Sequence, residues 1–204
     1  MMKCKYAIEK LAVCVAIILA LGATNVLAQG RVREAEAHSV LKVRELTGYG
    51  PRGLVKSPDA GMSKRAAYRE WAELSIQYDT EPEWLDEVVF NYYVLVRGKT
   101  AQDFTLLKGV VTYVDVARGA KHMGVAYVRP AALARFGEIV GVAVEAKVKG
   151  ETVSSLAEGR LGTGKPLPVE WWKNPNLASK EGYILDKSKT PFALLSFDDY
   201  EALK

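Results

Sequence analysis

The residues that could do chemistry are few, and their spacing narrows what they could do. Trp171 and Trp172 stand side by side in VEWWKNPNL (169–177), ahead of an Asn-Pro-Asn turn. Indole faces stack on sugars or anchor protein partners, so this pair, with Tyr183, is the candidate binding surface. If 169–173 is extended, however, Trp171 and Trp172 project to opposite sides. One then seals a core, and the other covers an edge or meets a partner. His38 and His122 are the two imidazoles. His38 falls in a polar N-terminal stretch, and His122 opens a strand beside a turn, a surface position. Asp198, Asp199 and Glu201 cluster near the C-terminus, and paired carboxylates can hydrolyse glycosides. On a strand Asp198 and Asp199 face opposite ways, so the run reads as a solvated edge. No serine stands in a nucleophile elbow. Nucleophile, base and oxyanion donors cannot be assigned together, and the chain reads as a non-enzyme with no catalytic residues.

Two glycine patterns touch nucleotide chemistry and fail it. Gly48, Gly50 and Gly53 in GYGPRG have dinucleotide-loop spacing, but Pro51 and the LVKSP that follows cannot open the helix that holds a pyrophosphate. In GRLGTGKP (159–166), Gly159, Gly164 and Lys165 fit a phosphate loop, yet Pro166 occupies the place of the magnesium-binding hydroxyl. Neither predicts a cofactor, and no metal site is expected.

The N-terminus reads as an address. Lys3, Lys5 and Lys10 precede the apolar run LAVCVAIILALG (11–22), and Val26 and Ala28 supply the small-residue pattern for a cut between Ala28 and Gln29. The run is short against the roughly 20 residues of a spanning helix. Residues 1–28 are therefore expected to be a signal peptide, touching the membrane only in transit. Cys4 and Cys14 both fall inside it, which leaves a mature chain without disulfides or thiolate chemistry. The formal net charge of +4 loses two with the leader's three lysines and Glu9. Charges of both signs alternate along the rest, and no basic block suited to nucleic acid appears. The expected location is periplasmic or extracellular.

Positioning these residues falls to strands. Period-two alternation marks VLKVREL (40–46), YREWAELSIQYDT (68–80), EVVFNYYVLVR (87–97), DFTLLKGVVTYVDVAR (103–118), HMGVAYVR (122–129) and EIVGVAVEAKVKG (138–150). Glu81-Pro82 is read as a break, Gly119-Ala120-Lys121 as a hairpin turn, and Gly109 as a bulge or bend. PAALARFG (130–137) predicts a short helical turn, with Pro at its start and Gly at its stop. FALLSFDDYEAL (192–203) is expected to close the fold as a strand. About seven strands and one helical turn predict an all-β sandwich of immunoglobulin- or fibronectin-like type over 40–204. Trp71, Trp84 and the tyrosines would fill its core, and residues 29–39 would form a loose arm. One edge of 103–118 could accept a partner strand.

REWAELSIQYDTEPEWLDEV, KGVVTYVDVARGAKHMGVAYVRP, ALARFGEIVGVAVE, WWKNP and TPFALLSFDDYEALK, taken in order, resemble a group of exported verrucomicrobial and planctomycete proteins. The resemblance spans roughly residues 40–204. It implies an immunoglobulin-like sandwich without established enzymatic activity, associated with type IV pilus-like machinery, and offers no catalytic residues. The expected function is an exported, non-catalytic binding or structural component of an envelope assembly with protein partners. The alternative is a carbohydrate-binding module that uses Trp171 or Trp172 with Tyr183.

Overall fold

Alternating burial does most of the building. In the computed structural model, which describes residues 40–48, 53–58, 70–100, 103–161, 164–196 and 199–204, Ala72, Leu74, Ile76 and Tyr78 are buried while the residues between them are half-exposed. The same rhythm resumes at Val88, Phe90, Tyr92 and Val94. Both runs belong to one strand, β3 (Glu70–Arg97). It pairs antiparallel with the equally long β4 (Phe104–Val128), after a short connection in which the Gly98 amide donates to the Asp103 carbonyl at 2.7 Å.

Strands of this length survive by bending. The register slips between Tyr78 and Thr80 and again between Thr80 and Trp84, opposite Ala117 to His122. Lys121 there takes a left-handed φ of 64°, the signature of an extra residue accommodated in a strand. Residues 81–83 have no ladder partner on β4, which is why Pro82 is tolerated inside a strand. Beyond the bend the hairpin folds over itself. The Tyr78 ring lies 4.9 Å from Phe90, and Phe90 lies 5.9 Å from Tyr113. The Val125 amide donates to the Tyr113 hydroxyl at 2.8 Å across the two layers.

Shorter strands complete each layer. β1 (Leu41–Thr47) and β2 (Leu54–Lys56) pair with the first half of β3. The helix α1 (Pro130–Phe136) starts at proline and stops at Gly137, whose φ of 105° suits glycine. β5 (Glu138–Val148) pairs with the second half of β3, and β6 (Glu151–Gly159) pairs with β5. β7 (Ala178–Glu181), β8 (Ile184–Asp186) and β9 (Ala202–Leu203) lie in three pieces along β4. The result is all-β and sandwich-like, with nine strands among the described residues in one continuous hydrogen-bonded sheet where about seven strands were expected.

Several local expectations are corrected. Glu81-Pro82 does not break the strand, and Gly119–Lys121 is a bulge within β4, not a hairpin turn. Gly109 keeps register with Tyr92 and causes no bulge. A Cβ there would stand 2.5 Å from the Ile184 Cβ, so the glycine permits close approach of β8. Among its described residues, segment 192–203 runs mostly as turns, with Ala202–Leu203 as strand. The edge of 103–118 away from β3 is paired in part, to β7 at Thr105–Lys108 and to β9 at Tyr113–Val114. Trp71 is half-buried against Phe192, and Trp84 stands outside the core at 62% exposure. The proposed signal peptide 1–28 with Ala28 and Gln29, the arm 29–39, His38 and Asp198 lie outside the described residues. Among the described residues, no helix is long and apolar enough to cross a membrane.

Candidate functional site

The tryptophan pair is reached through the outer face of β3, β4 and β5. Period two puts Val94 and Val96 into the main core and Tyr93 and Leu95 on the opposite face. There Leu95, Leu106, Val140 and Ala143 make a second apolar patch. Glu170 takes a left-handed φ of 53° and turns the chain into a 3₁₀ turn, Trp171–Lys173. The segment is therefore not extended, and both indoles pack onto the same patch. They are 6% and 8% exposed, edge to face at 5.8 Å. Burying an indole removes roughly 150–250 Å² from water, so this lid contributes several kcal/mol of packing.

The lid also holds a buried carboxylate. Trp172 Nε1 donates to Glu145 Oε1 at 2.9 Å, and the Tyr93 hydroxyl donates to Oε2 at 2.9 Å. Lys173 Nζ lies 3.8 Å from Oε1 and pairs more closely with Glu170, at 2.6 Å. Burial pushes the Tyr93 phenol up to about 12, helped by its bond to the carboxylate. A cleft of about 390 Å³ opens beside them, lined by Tyr93, Lys108, Glu145, Trp172, Lys173 and Ser179 among others. Glu145 is the one carboxylate in that lining, so the paired acids of glycoside hydrolysis are not brought together here. Tyr183 sits elsewhere. Its ring meets Phe136 edge-on at 5.1 Å, its hydroxyl accepts from Arg135 at 3.2 Å, and it packs on the main core.

His122 is not a surface residue. Its side chain is 12% exposed, and its Nδ1 lies 2.7 Å from Glu201 Oε1. Nε2 lies 3.2 Å from the Thr80 hydroxyl, and Tyr78 stacks on the ring at 5.2 Å. Hydroxyl, imidazole and carboxylate thus stand in the order of a hydrolytic triad. Thr80 is nevertheless buried at 4% exposure. Its hydroxyl donates to the Ala117 carbonyl at 2.8 Å and accepts from the Gly119 amide at 3.0 Å. A hydroxyl held in this way staples the bend of the hairpin and has no room to attack a substrate.

Trp84 is the remaining large aromatic. It projects at the bend over a groove of about 570 Å³ whose apolar walls include Val40, Pro82, Leu85, Val89 and Val148. Around it, Glu81 pairs with Arg118 at 3.5 Å, and Glu87 pairs with Lys204. Glu83 and Asp86 are exposed and take no ion pair among the described residues.

Residues 51–204 match a protein-family model. The chain belongs to that family. It is not a family of known enzymes. A crystal structure of a protein from the verrucomicrobium Akkermansia muciniphila matches with a TM-score of 0.64 and 20% identity, over 81% of this chain and 93% of that one. That likeness shows the fold. No curated protein matches the chain.

Within this family fold, the sequence located the tryptophans and the C-terminal carboxylates but not their partners. Glu145 sits mid-strand in an ordinary alternating segment. The His122–Glu201 pair spans 79 positions, and no short-range spacing signals it. Trp84 carried a visible signal in EPEWLDE, a large aromatic with a polar handle among four carboxylates, although Leu85 in the same stretch is core.

Proposed function

We propose that the chain is an exported, non-catalytic component of a bacterial envelope assembly that works by binding other proteins. The setting is the type IV pilus-like machinery implied by the sequence resemblance, and the fold is the immunoglobulin-like sandwich implied with it. The observation that carries this reading is the 62% exposure of Trp84 beside an apolar groove, in a fold whose other described tryptophans are buried or half-buried. Exposed tryptophans beside pockets are typical anchors of protein interfaces. The polar groups with catalytic spacing, Thr80, His122 and Glu201, are bound to one another and to the backbone, which favours a structural role for them.

The carbohydrate alternative draws no support from the pair it relied on. Trp171 and Trp172 turn their faces to the patch and to each other, and Tyr183 is not beside them. Gentle crosslinking in the native envelope, followed by recovery of the tagged chain, tests the proposal. Reproducible capture of secretin or pilus-alignment proteins is the expected result. Recovery of polysaccharide alone overturns it.

A further inference from the structure

The geometry points to a cationic partner segment as the occupant of the Trp84 groove: an extended basic peptide stretch that lays a lysine or arginine over the indole. This rests on the protein-binding reading above and names the partner's chemistry.

The groove combines two recognition elements. Its lining is largely apolar, with Pro82, Leu85 and Val148 alongside Trp84. Asp86 and Glu87 line it as well, and Glu81 and Glu83 precede Trp84 in EPEWLDE (81–87), a stretch with four carboxylates and no basic group. Lys149 is the one basic residue in the lining. Glu81 and Glu87 are paired with Arg118 and Lys204, so Asp86 in the lining and the exposed Glu83 next to Trp84 in the chain carry the negative charge that takes no ion pair among the described residues. An indole face attracts a cation through its quadrupole, and arginine or lysine within about 6 Å is the usual partner. Flanking carboxylates strengthen that attraction and repel anionic segments. The same charges disfavour an anionic lipid surface, which selects basic residues instead. The bend supplies the site physically. Residues 81–83 leave the ladder, and Trp84, where pairing resumes, stands opposite the small Ala117, which leaves the indole 62% exposed.

The test is a calorimetric titration of the purified full chain with an acetylated arginine–lysine decapeptide, with a glutamate–aspartate decapeptide as control. Tryptophan emission is read in parallel. Saturable binding of the basic peptide, weakened by added salt and accompanied by a blue shift of the exposed tryptophan, is expected. Trp84→Ala and the Glu83→Gln/Asp86→Asn double variant should each weaken it at least roughly fivefold. All three side chains are exposed, so these variants should keep the wild-type unfolding transition, which is checked alongside. Equal binding of the acidic peptide overturns the proposal, as does unchanged affinity in both variants. So does a Trp84 contribution, taken as wild-type emission minus that of Trp84→Ala, that is already blue in the free chain or that shifts with protein concentration, which would put the chain's own segment or a second copy in the groove. The wider reading is decided separately: if the basic peptide fails while crosslinking still captures envelope proteins, only the cationic partner falls.

Discussion

Trp172 and Glu145 show how a side chain can look like a ligand platform and serve as a bracket. The carboxylate is buried, and the indole N–H is one of its two close donors. Trp172→Phe keeps most of the ring but leaves Glu145 short of a partner. We expect it to cost about 1–3 kcal/mol in urea unfolding while leaving envelope capture unchanged. A Glu145→Leu change made on top of Trp172→Phe should recover part of the loss, because it removes the buried charge. The tyrosines give a sharper contrast. The hydroxyls of Tyr78 and Tyr92 are buried without a partner, whereas that of Tyr113 receives the Val125 amide. Tyr92→Phe should therefore be neutral or stabilising, and Tyr113→Phe should cost about 1–3 kcal/mol. Denaturation midpoints of the two variants side by side check this. At this scale residue type was legible and geometry was not. Apolar bulk at 171–172 announced packing, but the left-handed Glu170 that brings both indoles to one patch leaves no mark in a glutamate.

The long hairpin depends on how its bend is closed. Thr80 joins the two strands where the register slips, with one bond from the Gly119 amide and one to the Ala117 carbonyl. Thr80→Val is nearly isosteric but strands both backbone groups and releases His122. We expect a loss of about 1–3 kcal/mol, with native-state hydrogen exchange accelerating first around 117–122. Thr80→Ser, which keeps the oxygen, should lose much less. If valine is as stable as wild type, the hydroxyl does not hold the bend. The same region explains the misplaced turn. Gly119 and Lys121 have the composition of a hairpin loop, and the left-handed Lys121 has its conformation. Whether a strand reverses there or only bulges depends on its partner, and β3 is set by contacts some 40 residues away. Alternation therefore located the runs of β1, β3, β4 and β5, while β2, β6, β7 and β8 went unread and the joining of the runs across Pro82 and Gly119 was hidden.

On the scale of the whole molecule, alternation without long helical periodicity made an all-β sandwich legible before any contact was known. The layers are made by one hairpin folding over, so its aromatic residues meet face to face in the core. Tyr78, Tyr92 and Tyr113 fill that space, and burial pushes all three phenols well above their ordinary value, with Tyr127 raised chiefly by burial as well. In the unfolded chain these phenols ionise near pH 10, while in the folded one they stay neutral to higher pH. Their contribution to stability is therefore complete below about pH 10 and is lost as pH rises from there toward the folded values. Above that point the unfolded state holds fewer protons, and stability should fall by roughly 1 kcal/mol per pH unit for each such tyrosine. Phenolate absorbance of the buried set should appear together with loss of β-sheet signal in one transition, not as a gradual titration before it. Tyr92→Phe removes one of these groups and should reduce the steepness of that alkaline loss. Titration of the buried phenols while the sheet stays intact would mean that the hairpin's aromatic interior opens to water without unfolding.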